Sequence, residues 1–186
     1  MQSKTAKTFI WSVIVLGAVI CATAIYYLPI QQLDFQFILL AAFTILFGSR
    51  LSLQLPRSKV HFLMSDALIF ISFLLYGGES AILLSAAEAF SFSLSTKIKN
   101  QGASLSYRTV FFNGALIACS TAGTYVTFLL YQKIIGSTPN LHNLQEFASL
   151  IGLMAIAQFF FNSVLAAIYQ AFKSNISVWQ AWNEKC

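Results

Sequence analysis

Charge is what this chain has least of. Only 9% of its 186 residues are Asp, Glu, Lys or Arg, against roughly 25% in an ordinary soluble domain. That scarcity excludes a water-exposed surface of normal polarity. Cysteine is also sparse. Cys21 and Cys119 fall inside apolar runs and Cys186 is the last residue, so there is no disulfide framework and the thiols are expected to be reduced. The two histidines, His61 and His142, stand in different loops without ligand spacing, so no metal site is expected. The three prolines, Pro29, Pro56 and Pro139, all lie outside the long apolar stretches, and Pro29 stops the first of them.

What fills the chain instead is hydrocarbon. Hydrophobic residues make up 58% of it, and the mean hydropathy is +0.72. Six apolar runs stand out, at 9–28, 33–47, 62–76, 80–96, 109–131 and 147–172. A membrane-spanning helix needs about 20 residues, so six would consume most of the chain and leave no room for a separate soluble domain. The expected fold class is therefore all-α: a polytopic bundle of about six transmembrane helices over residues 1–173, followed by an amphipathic segment at 174–186. The third run has only 15 residues. It is expected to form a short helix, with a tight turn at Gly77-Gly78 before the fourth. A re-entrant hairpin and one long kinked helix are the alternatives.

The basic residues give the chain a direction. Lys4 and Lys7 precede the first run. Arg50, Arg57 and Lys59 lie between the second and third, and Lys97, Lys99 and Arg108 between the fourth and fifth. Lys173 and Lys185 follow the sixth, and only Lys133 falls in the opposite set of gaps. Cytoplasmic loops collect Lys and Arg, so both termini are expected in the cytoplasm. Tyr26, Tyr27, Tyr76 and Tyr131 fit an outer aromatic belt, and Trp11, Tyr107, Trp179 and Trp182 an inner one. The net charge of +5 is spread over alternate loops instead of one patch. Its expected partner is the lipid bilayer and not nucleic acid. The basic start and Ala22-Thr23-Ala24 have the look of a signal peptide, but the apolar run continues to spanning length and is read as a retained helix.

Arg50-Leu51-Ser52-Leu53-Gln54-Leu55-Pro56 alternates apolar and polar residues with period two, which suits an extended segment. It is expected along the inner interface with its leucines buried. Ile176, Trp179 and Trp182, spaced by three, give 174–186 the pattern of an interfacial amphipathic helix. Trp179 and Trp182 are candidates for coupling to something downstream.

Polar groups inside apolar runs are the candidate site. Glu88 sits at the middle of the fourth run, with Ser85, Ser91 and Ser95 near its face. Asp66 stands near the start of the third. Asn113 shares a face with Ser120, Thr124 and Thr127, and in the sixth run Gln158 and Asn162 line up with Tyr169. An ionisable group facing lipid costs on the order of 2.5–3.5 kcal/mol. Asp66, Glu88, Asn113, Gln158 and Asn162 are therefore expected to converge on one polar core in the cytoplasmic half, where they would serve either as interhelix glue or as a ligand site. No nucleophile with a paired base, phosphate-cradling loop or metal cluster is recognisable, so no catalytic residue and no cofactor are expected.

Several segments resemble a bacterial membrane sensor module of the kind that precedes HD-type cyclic-di-nucleotide phosphodiesterase, diguanylate cyclase or histidine kinase domains. They are Arg50 to Ser58, Ser65-Asp66-Ala67-Leu68-Ile69-Phe70 through Tyr76-Gly77-Gly78-Glu79, and Gln158-Phe159-Phe160-Phe161-Asn162-Ser163. Phe112-Asn113-Gly114-Ala115 and Trp179 to Cys186 add to the likeness. The resemblance covers most of residues 40–186. It implies a place in the bacterial inner membrane and a small-molecule ligand or other signal. It also implies a protein partner or homo-oligomer engaged through the cytoplasmic side. The short third helix and Gly-rich turn are also similar to the substrate-binding subunits of energy-coupling-factor transporters. Those bind near the outer face, opposite to the inner-half core expected here. A structural subunit of a membrane complex is the third reading, and the 18 phenylalanines suit it equally well.

Overall fold

The computed structural model describes residues 4–29, 31, 33–47, 52–54, 61–99, 106–135 and 144–185. Among them are seven helices: α1 (Lys4–Tyr27), α2 (Phe35–Phe47), α3 (Met64–Tyr76), α4 (Gly78–Lys99), α5 (Tyr107–Ile135), α6 (Leu144–Ser174) and α7 (Val178–Lys185). Strands β1 (Ser52–Gln54) and β2 (His61–Leu63) form a small antiparallel pair before α3, with Leu53 opposite Phe62. Among the described residues the fold is all-α apart from this pair. Helices α1, α4, α5 and α6 are long and apolar enough to cross a membrane, and the molecule is a multi-pass membrane bundle.

Two of the six expected spans are short. Helices α2 and α3 have 13 residues each, about 20 Å of helix against a hydrocarbon core of about 30 Å. The sequence pointed to α3 alone. Helix α2 begins late because Asp34 caps it: the Phe37 N–H donates to Asp34 Oδ1 at 3.0 Å. Helix α3 begins at Met64 instead of Phe62, because Phe62 and Leu63 are taken into β2. The extended reading of 50–56 holds at Ser52–Gln54. Leu51, Leu55 and Pro56 lie outside the described residues.

Between α3 and α4 the chain folds back on itself. Gly77 adopts φ +90°, a left-handed conformation that glycine takes without steric cost. Its N–H closes α3 on the Phe73 carbonyl at 3.1 Å. Ser80 Oγ donates to the Gly77 carbonyl at 2.7 Å and lies 3.4 Å from Ser72 Oγ. In one continuous helix Ser72 and Ser80 would stand about 12 Å apart, so the turn is a hairpin and not a kink. A Cβ on Gly78 would run into the Tyr125 ring.

Helix α4 packs against α1, α2, α3 and α5, and α5 in turn touches α1 and α6. The end of the bundle that carries Lys7, Lys97, Arg108 and Lys173 is closed by Ile10, Val13, Phe112 and Leu116, with Phe9 and Tyr169 against them. The other end, which carries Tyr76 and Tyr131, is closed by Ile69, Phe73, Leu150 and Met154. These are called the basic and aromatic ends below.

The last helix departs from expectation. Asn175 takes φ +56°, and the Ile176 N–H reaches back to the Ala171 carbonyl at 3.2 Å. This is a Schellman-type stop. Ser177 then caps α7, accepting from the Gln180 N–H at 3.2 Å. Ile176 is outside the helix, so the spacing-three stripe is not a single helical face. Helix α7 folds back on α6. Ala181 is fully buried, and the Trp182 ring sits 6.1 Å from that of Phe160.

Candidate functional site: a buried polar junction

The polar groups of α4, α5 and α6 meet at mid-depth. Gln158 on α6 is the joint. Its amide nitrogen donates to Thr121 Oγ1 at 3.3 Å, and its amide oxygen accepts from the Thr124 hydroxyl at 2.8 Å. Its backbone carbonyl accepts from Ser120 Oγ at 3.2 Å. The Thr121 and Ser85 hydroxyls are 3.0 Å apart, and Ser85 Oγ donates to the Ile82 carbonyl at 3.0 Å. The donors therefore run in one direction, from Gln158 through Thr121 and Ser85 to Ile82. Ser85, Ser120, Thr121, Thr124 and Gln158 are all buried. In lipid no water stands ready to satisfy a lost partner, so the arrangement fixes the relative rotation of three helices.

A second bridge sits nearer the basic end, where Asn113 Nδ2 donates to Ser93 Oγ at 2.9 Å. From Ser85–Thr121 to Ser93–Asn113 is eight residues along α4 and eight back along α5. One antiparallel register serves both. Between them lies Glu88, three residues from Ser85 on the same face and only 6% exposed. The register sets it level with Ala118, which is fully buried.

The five expected site residues thus separate. Gln158 is in the junction and Glu88 lies beside it. Asn113 belongs to the second bridge. Asp66 stands half-buried in the first turn of α3, and the antiparallel pairing of Ser72 with Ser80 sets it level with Ala86 on α4. Asn162 is exposed, although it stands one turn from Gln158 on nearly the same side of α6. The junction is at mid-depth and on the aromatic-end side of Glu88, not in the basic half. Helix register is the reason, because it brings Ser85, seven residues into α4, opposite Thr121. Thr121 and Ser93 were missed by the sequence reading. Thr121 stands one helical turn from Thr124, which the sequence already marks, whereas Ser93 has no suspected polar residue one turn away.

At the aromatic end two phenol–carboxylate pairs tie helices together. Tyr125 donates to Glu79 Oε1 at 2.8 Å, and Tyr76 donates to Asp34 Oδ1 at 3.1 Å. Glu79 is thus bonded across the bundle. Cys21 and Cys119 are free thiols. Among the described residues no group of three His, Cys, Asp or Glu side chains could hold a metal ion. Compared with family models, curated proteins and solved structures, the chain matches none.

Proposed function

We propose that this chain is a non-enzymatic sensory module of the bacterial inner membrane. In this reading the two short helices complete six passes, both termini are cytoplasmic, and a signal reaching the polar junction is relayed to a cytoplasmic output domain or partner. The observation that carries it is the seat of α7. Trp182 rests on Phe160, two residues along α6 from Gln158, so a rotation of α6 that rearranges the junction also moves the surface that holds α7. Glu88, buried beside the junction, is the group whose protonation or ligation would bias that rotation.

The test is Trp182 fluorescence in a Trp11→Phe, Trp179→Phe background. Glu88→Leu is expected to leave membrane insertion intact while increasing acrylamide quenching of Trp182. Wild-type quenching in a correctly inserted Glu88→Leu protein would remove the link between junction and α7. A second reading, a substrate-binding subunit of a small-molecule transporter, is favoured by the junction's displacement from the basic end. The reading frame beyond Cys186 and its neighbours discriminate: a kinase or phosphodiesterase domain supports sensing, and ATPase subunits support transport.

A further inference from the structure

Helices α1, α4 and α5 enclose an open groove of about 290 Å³ on the side of the bundle, lined almost wholly by carbon. Ala18 and Cys21 form one wall, Ala87 and Phe90 the second, and Phe111 and Gly114 the third. The groove exists because its walls are small. The Phe90 and Phe111 rings meet at 5.3 Å, tilted by 58°, and form its limit toward the basic end.

Beyond that limit each helix carries a cation on the same face. Lys97 follows Phe90 by seven residues and Lys7 precedes Ile14, another lining residue, by seven. That spacing repeats the face after two turns, about 10 Å further along the axis. Arg108 precedes Phe111 by three, about 5 Å. The Lys97 ammonium is steadied over the Tyr107 ring. An apolar slot inside the bilayer, opening toward three cations at the depth of the headgroups, has the charge pattern of one class of molecule. We propose that the groove holds one acyl chain of an anionic phospholipid whose phosphate is met by Lys97, Arg108 and Lys7. A zwitterionic lipid offers the same tail but no net charge, and a second helix would fill the slot without using the cations. The site stands whether or not α7 carries a signal.

The experiment is native mass spectrometry of the full chain in neutral detergent. The protein is titrated with palmitoyl-oleoyl phosphatidylglycerol or with the phosphatidylcholine of the same chains. One phosphatidylglycerol should be retained in preference to phosphatidylcholine. Lys97→Gln and Arg108→Gln should each weaken its retention roughly fivefold and leave phosphatidylcholine unchanged. Lys133→Gln, at the aromatic end, should change neither. Ala87→Phe should abolish retention of both lipids. Ala18→Phe, filling the slot from the opposite wall, should do the same, and circular dichroism of each variant separates a filled groove from a lost fold. Equal retention of the two lipids by the wild type overturns the proposal. So does undiminished phosphatidylglycerol on folded Ala87→Phe and Ala18→Phe, or a lipid-free dimer in which a second copy occupies the groove.

Discussion

Helices α1 and α4 are neighbours of similar length, yet they are built on opposite plans. The most apolar 18-residue stretch of α1 has a mean hydropathy of 2.3 with 22% of it buried, and that of α4 has 1.2 with 39% buried. In water the more apolar helix would be the one inside. In lipid the order inverts, because hydrocarbon is already an apolar solvent and the groups that need shelter are the polar ones. The polar side chains follow the same division. Ser12 and Thr23 on α1 bond to carbonyls of their own helix, Thr8 and Ile20, and ask nothing of a neighbour. Ser85 and Ser93 on α4 bond to Thr121 and Asn113 on α5. Helix α1 is held by shape and α4 by chemistry.

The sharpest way to break that contrast is to remove the shape. Gly17 is where α1 approaches α5: a Cβ there would fall 2.6 Å from the Ala115 Cβ and 2.7 Å from its Cα. The Ala115 backbone cannot yield, so α1 must move away. Gly17→Leu is expected to destabilise the bundle by about 2–3 kcal/mol, the upper part of the range for overpacking. Val19→Ala, on the exposed face of α1, is expected to change little. Unfolding in mixed micelles with increasing denaturing detergent reads both. Equal stability of the two variants would mean that the close approach holds nothing.

Removing the chemistry should cost somewhat less. Gln158→Leu deletes two side-chain bonds, to Thr124 and Thr121. Interhelix bonds in membranes average about 0.6 kcal/mol and reach about 1.7, so a loss of about 1–2 kcal/mol is expected. A double-mutant cycle with Thr124→Val isolates the shorter bond and should return a coupling near 0.6 kcal/mol. A coupling of zero would leave the junction as mere adjacency and make α4 resemble α1.

Much of this architecture could be read from the amino acids, and the failures have physical causes. The long helices were legible because nothing interrupts their apolar runs, and the Gly77-Gly78 turn because glycine takes a left-handed step without steric cost. The start of α3 was not legible, since Phe62-Leu63 is as apolar as a helix turn and its pairing with Ser52 and Leu53 is a contact across intervening chain. Among the site residues, Glu88 and Gln158 betrayed themselves by sitting deep in hydrocarbon. Asn162 shares its helical periodicity with Gln158 and yet is exposed, because helical spacing gives a side but not how far a neighbouring helix covers it. The depth of the junction depends on how α4, α5 and α6 slide past one another, which no single helix encodes.

The smallest effect is expected at α7, where the same division between shape and exposure recurs within eight residues. Trp179 and Trp182 look equivalent as a pair of interfacial aromatics, but Trp179 is 73% exposed while Trp182 lies against Phe160. An aromatic pair contributes about 0.5–1.5 kcal/mol beyond its buried area, so Trp182→Ala should loosen α7 by about 1 kcal/mol and Trp179→Ala should barely register. Amide hydrogen exchange across 178–185 measures this directly: faster exchange in Trp182→Ala only, with α4 to α6 unchanged in both. If Trp179→Ala loosens α7 equally, the helix is held by its surroundings and not by α6. The path from Gln158 through Phe160 to the chain's last helix would then carry nothing.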